Sequence, residues 1–229
     1  MLIFWIITGS VLGILLVLFI ALGATIVKSG KRYAHRFALA LGAPERMASA
    51  LGDVDGPFLY LDAWRKSEHP QLIACLEDLG IDFERDQRLE GAYLRLTLRS
   101  IWSLGEMNIL RQRPDLAQTY HVKDILAYDA ARFVELTRIA FVLKLLSEEE
   151  VWGLLFLNAQ RVQMLFSSWR DYTDCYVRGR TLVLEHYNQD VDEKLLEGLE
   201  KAHAQKTHTF NEVAWRERRI MADRSFLES

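Results

Sequence analysis

The segment from Ser147 to Tyr187 reads SEEEVWGLLFLNAQRVQMLFSSWRDYTDCYVRGRTLVLEHY, and it contains two helix starts. Ser147-Glu148-Glu149-Glu150 has the form of a capping box: the serine oxygen accepts from the third amide, and the glutamate there reaches back to the serine amide. The helix it opens carries Trp152, Leu155, Phe156, Ala159, Val162 and Phe166 toward a core at helical spacing. Ser168-Trp169-Arg170-Asp171 has the analogous S-x-x-D pattern and opens a helix through about Tyr187. On it, Trp169, Tyr172, Tyr176 and Gly179 are spaced three, four and three apart and so share one face. A packed aromatic seam is the simplest account of that face, with Gly179 allowing another helix to come close.

Working outward, Asp190-Val191-Asp192-Glu193 opens a last amphipathic segment with Leu195, Leu196, Leu199, Ala202, Phe210 and Val213. Upstream, a helix begins near Lys123, and Asp129 and Arg132 stand three apart on it, close enough to pair. His69-Pro70, Gly80 and Arg113-Pro114 punctuate the earlier chain, and Asp53 to Pro57 is a turn. Tyr33 to Leu51 reads as a helix, continuous or broken, with Pro44 where a new first turn can begin. Leu94-Arg95-Leu96-Thr97-Leu98-Arg99 alternates with period two, which leaves one short strand pair as an alternative. A helical stripe of Leu89, Tyr93, Leu96, Ser100, Ile101 and Leu104 competes with it and favours helix. The expected class is all-α.

The N-terminus adds a different element. Leu2 to Val27 is apolar without one ionisable side chain, and roughly 20 such residues span a hydrocarbon core. Lys28, Lys31, Arg32 and Arg36 follow at once; the positive-inside rule places that flank in the cytoplasm and the N-terminus outside. The basic flank is on the wrong side for a cleaved signal peptide. We therefore expect a transmembrane anchor over 1–30, a juxtamembrane helix and turn over 31–56, and a single multi-helix cytoplasmic domain over 57–229. Gly9 and Gly13 form a G-x-x-x-G, a face on which two anchors can pair as a homodimer.

Composition excludes several classes of function. Half of the 229 residues are hydrophobic, which suits a chain with a real core rather than a disordered tether. A net charge of -3 lacks the basic surplus expected for binding DNA or RNA. Cys75 and Cys175 form no C-x-x-C pair, so neither a disulfide framework nor a zinc site is expected. No G-x-S-x-G, H-E-x-x-H, Walker loop or G-x-G-x-x-G occurs. Glu200-Lys201-Ala202-His203 is a single E-x-x-H, whereas a di-iron bundle needs two with further glutamates. No metal, cofactor or catalytic residue is expected.

Four stretches also carry a resemblance: Tyr128-Asp129-Ala130-Ala131-Arg132, Leu146 to Trp152, Phe166 to Tyr172, and Tyr176-Val177-Arg178-Gly179-Arg180. They resemble, in order, the W-D-x-x-R, L-[DST]-E-E-E-A-W and F-x-S-W-x-[DE]-[FY]…Y-x-x-G-R patterns of the bacterial domain-of-unknown-function 1266 family, the YbeU/YbeR-like proteins. Tyr128 stands at the usual tryptophan, and Arg138 to Leu145 lacks the glycines that members often place before the acidic helix start. The resemblance implies a bacterial, mainly helical domain with its core at about 120–188. The positions it carries over as a shared ligand or partner site are Asp129, Arg132, Trp152, Ser168, Trp169, Tyr176, Gly179 and Arg180.

The leading expectation is a protein-interaction domain held at the cytoplasmic face of a bacterial inner membrane, non-catalytic, with the bilayer and a protein as its partners. A specialised form is an immunity or accessory protein of a toxin system. The rival is an enzyme or anionic-ligand-binding domain in which Asp129, Arg132 and Arg180 converge in a cleft. An anionic-lipid sensor built on Lys28 to Arg36 is a third.

Overall fold

The computed structural model describes residues 32–48, 69–77, 87–103, 107–189, 193–204, 209–215 and 220. The apolar run 2–27 with Gly9 and Gly13, and the turn at 53–57, lie outside the described residues. Among the described residues there is no strand, and no helix is long and apolar enough to cross a membrane. The elements are α1 (32–40), α2 (Ala43–Ala48), α3 (His69–Glu77), α4 (Gln87–Ser103), α5 (Met107–Gln112), α6 (Val122–Val142), α7 (Glu148–Leu165), α8 (Trp169–His186), α9 (Glu193–Ala204) and α10 (Thr209–Glu212), with a 3-10 turn at Leu116–Gln118.

A helix on the surface buries one stripe. From Ala127 to Ala131 and again from Phe133 to Ala140, α6 is buried at every position, so it is the axis of the fold. Helices α8 and α7 are its main neighbours, with α4 and α2 completing the surround. Phe37, Leu39 and Leu41 of the α1–α2 segment are almost wholly buried in the same core. At the far end Phe37, Trp169, Phe210 and Trp215 pack ring against ring.

The three central helices start alike. In α7, Ser147 Oγ accepts from the Glu150 amide and Glu150 accepts from the Ser147 amide at 2.8 Å. In α8, Ser168 Oγ accepts from the Asp171 amide at 3.1 Å, and Asp171 accepts from the Ser167 amide at 2.7 Å. In α6, Asp124 accepts from the His121 amide at 2.9 Å. Each of these third-position acids also takes a basic side chain from another helix. Arg178 reaches Asp124 at 2.9 Å, Arg95 reaches Glu150 at 2.6 Å and Lys123 reaches Asp171 at 2.8 Å.

The C-terminus of α6 closes with the Leu145 amide on the Ala140 carbonyl and the Lys144 amide on that of Phe141. This closure holds Lys144 in the left-handed region, φ 61°, a conformation normally given to glycine.

Leu94 to Arg99 is helix, as the helical stripe favoured, and not the alternative strand: Leu94 and Leu98 are buried one turn apart while Leu96 is 63% exposed, whereas alternation would put all three on one side. Two expectations about which residues face inward need correction. The inward stripe of α4 is rotated from the expected one. Gly91, Leu94 and Leu98 face inward, and Tyr93, Leu96 and Ser100 face outward. On α7, Trp152 and Phe156 are only half-buried, and Val151, Leu157 and Asn158 take core positions instead.

Candidate functional site

The α1–α2 turn, α6 and α8 bring a set of charged and phenolic groups together. Tyr176 is fully buried on α8 and donates its hydroxyl to Glu45 of α2 at 2.7 Å. The Arg180 guanidinium lies 3.7 Å from the same carboxylate. Burial pulls the pKa of Arg180 down, but Tyr176, Glu45 and Tyr128 outweigh it and hold this guanidinium above its ordinary value. Tyr128 of α6 packs against Tyr176 with ring centroids 6.0 Å apart, and Arg132 lies over the Tyr128 ring at 5.3 Å. Arg132 therefore lies on Tyr128, whose ring packs on that of Tyr176, and Arg180 shares the Glu45 carboxylate with Tyr176.

Beside this group lies a deeper pair. Arg138 is wholly buried and donates to Glu135 at 2.6 Å. Gly42, in the α1–α2 turn, leaves room for that carboxylate: a Cβ there would run into Glu135 Oε1 and come within 2.8 Å of Val134 Cγ1. Burial pushes the Glu135 carboxyl above its usual range; Arg138 and Arg46 oppose the rise, and Glu45 adds to it.

The remaining motif positions have separate places. Asp129 is buried toward α7, where its charge supports Arg161 against the downward effect of burial. Asn158, next to that arginine, donates to the Ala130 carbonyl at 2.9 Å. Trp169 donates its indole N–H to the Val213 carbonyl at 2.6 Å, and Ser168 is the α8 cap. Trp169, Tyr172, Tyr176 and Gly179 do share one buried face. Gly179 meets the Asp124 carbonyl and the Tyr128 Cβ so closely that a side chain there would collide. Trp152 differs: half-buried, it stacks on His35 of α1 at 3.9 Å and 9°, and Phe156 packs against both rings, 5.2 Å from His35 and 5.7 Å from Trp152.

Sequence reasoning missed Glu45, Arg46, Glu135, Arg138 and His35. Charges three apart on a helix ordinarily mark its surface, and the His35–Trp152 stack joins segments with no local pattern between them. Other reactive types are taken up structurally. Burial pushes the Cys175 thiol up to about 11, Asp124 adds to it and Arg178 works against it, so the thiol stays protonated at neutral pH. Glu200 pairs with Arg170 at 2.6 Å, and His203 bonds Thr173 at 2.8 Å and stacks on Phe210. Among the described residues no three His, Cys, Asp or Glu side chains gather as a metal site.

These elements define an all-helical domain built around a buried axial helix, with a charged cluster between α2, α6 and α8. The profile of the family described as "Protein of unknown function (DUF1266)" matches residues 58–215, more than half of the chain. The chain belongs to that family. No curated protein and no solved structure matches it.

Proposed function

We propose that the protein is a membrane-tethered, non-catalytic domain that docks another protein on the platform made by His35, Trp152 and Phe156. The contrast among the motif aromatics carries this reading: Trp169 and Tyr176 are buried in the core, whereas Trp152 is only half-buried and is stacked in place. Held aromatic rings at a surface lose little freedom on binding and are the usual anchors of protein interfaces. The tether is the uncharged run 2–27, with Lys28, Lys31, Arg32 and Arg36 toward the cytoplasm and Gly9 and Gly13 as a face for homodimerisation. The motif resemblance supports a bacterial, YbeU/YbeR-like member in the inner membrane. To test it, full-length protein is purified from native membranes in mild detergent alongside Trp152→Ala and Leu96→Ala. A stoichiometric partner retained by Leu96→Ala and lost by folded Trp152→Ala is the expected result. Equal recovery by all three rejects the platform.

A second reading is an anionic ligand held by Arg132, which lies over the Tyr128 ring, and by Arg180, which lies beside Glu45 and the Tyr176 that packs on Tyr128. Titration of the full chain with inorganic phosphate, followed calorimetrically, tests it. Saturable binding weakened by both Arg132→Ala and Arg180→Ala supports this reading, and absence of saturable binding removes it.

A further inference from the structure

The apolar run ends at Val27, and the described helix α1 begins five residues later. Five fully extended residues reach about 18 Å at most. Whatever surrounds the start of α1 is therefore held close to the bilayer that takes up residues 2–27. Tyr33, one residue into α1, is firmly placed. Its hydroxyl meets the Ala214 and Trp215 carbonyls at 2.9 and 3.0 Å, and it accepts from Gln163 Nε2 at 3.0 Å. Gln163 is fixed in turn, accepting from the Ile220 amide at 2.9 Å. The next two residues of α7 are Met164, 69% exposed, and Leu165, 43% exposed. Met164 is the most exposed large apolar side chain among the described residues, and it follows directly on Gln163, whose side chain is bonded to Tyr33.

We infer that Met164 and Leu165 are a membrane-contacting edge, seated in the interfacial layer of the same leaflet from which the tether emerges. This rests on the tether proposed above. The occupant is an anionic lipid surface. Arg32 is exposed at the start of α1 and follows Lys28 and Lys31 in sequence; the Tyr33–Gln163 bond joins the segment that carries this charge for lipid phosphates to the segment that carries apolar side chains for the acyl boundary. Two contacts, tether and edge, fix the domain's orientation and turn α1 and α7 to a defined angle on the membrane.

The experiment uses full-length protein in vesicles of phosphatidylethanolamine and phosphatidylglycerol. Nitroxides are attached at Met164→Cys or Leu165→Cys in a Cys75→Ser background, with buried Cys175 kept native. Leu96→Cys, 63% exposed on α4, serves as the reference. Collision with oxygen against an aqueous nickel chelate reports immersion, and carbonate extraction reports the tether. Carbonate-resistant protein with oxygen-favoured labels at 164 and 165 and a nickel-favoured label at 96 is the expected result. Carbonate-resistant protein with water-exposed labels at 164 and 165 overturns the edge and leaves the tether standing. Spin–spin broadening at 164 assigns the face to a second copy and also overturns it. Release by carbonate overturns the tether and the edge together.

Discussion

Gly179→Ala tests the packing on which the domain depends. In an open helix interior, alanine stabilises relative to glycine by roughly 0.5–1 kcal/mol through backbone entropy. At position 179 the new methyl would strike the Asp124 carbonyl oxygen, lying 2.7 Å from its carbon and 2.9 Å from Tyr128 Cβ. Carbon contacts prefer about 3.5–4.0 Å, so α6 and α8 must part by roughly 1 Å. These are backbone and Cβ atoms that no rotamer change can move, and overpacking of this kind costs about 1–3 kcal/mol, occasionally more. The strain outweighs the propensity gain, and a net loss of about 1–3 kcal/mol follows. In a chain of this size each kcal/mol lowers the melting temperature by roughly 2–4 °C. Gly198→Ala is the matched control, because its Cβ would meet only Met47 Cε at 3.5 Å; it should be neutral or stabilising. Thermal unfolding of the detergent-solubilised chain, followed by far-ultraviolet circular dichroism and tryptophan emission, measures both. Gly179→Ala as stable as the parent would refute the close α6–α8 approach.

Three further outcomes follow from the same contacts. Arg138→Met strands Glu135 as a buried charge and should cost about 3–5 kcal/mol, with Glu135→Gln added to it restoring part of the loss; a urea double-mutant cycle with no coupling would contradict the pair. Asp171 is pushed up by burial but held below its ordinary pKa by Lys123 and Ser167. A lowered carboxylate contributes stability above its unfolded pKa of about 3.9 and loses it as pH falls through the folded value. Lys123→Met should therefore flatten the acid limb of a stability–pH curve below about pH 4, and an unchanged limb would discount the bond. Lys144→Gly should raise stability by about 0.5–1 kcal/mol, since relief of the left-handed strain exceeds the added chain entropy; a lower melting temperature would count against it.

How much was legible in the sequence depended on how local each cause is. The starts of α7 and α8 could be read because a serine and an acid three residues later settle the matter between themselves. The start of α6 near Lys123 was found without its cap, since His121 is not a usual capping residue. Helix α4 was misread in detail because one of its three inward positions is Gly91, which carries no apolar signal, while Tyr93 and Leu96 supply a false stripe outside. The shared face of Trp169, Tyr172, Tyr176 and Gly179 was correctly read as packing. Glu135 and Arg138 were invisible for the opposite reason: only the burial of α6 on all sides turns that pair inward. The missing glycine before Ser147 has a structural counterpart in Lys144, which takes the glycine-like conformation itself.

The three capping acids explain why conspicuous charges in the family patterns need not mark an active site. Asp124, Glu150 and Asp171 each satisfy a helix N-terminus with one interaction and a basic side chain from another helix with a second. The first interaction is local and legible as a motif; the second sets where α8 lies on α6, where α4 lies on α7 and how the start of α6 meets the start of α8. An acid used in both ways ties the beginning of a helix to its neighbour. Two of these three acids, Glu150 and Asp171, belong to the E-E-E and S-W-x-[DE] stretches, so these two motif charges already have a structural explanation. The proposed sites, Trp152 with His35 and Arg132 with Arg180, use none of these three capping acids. A functional test is therefore most discriminating at these positions, where a substitution can alter binding without removing a helix start.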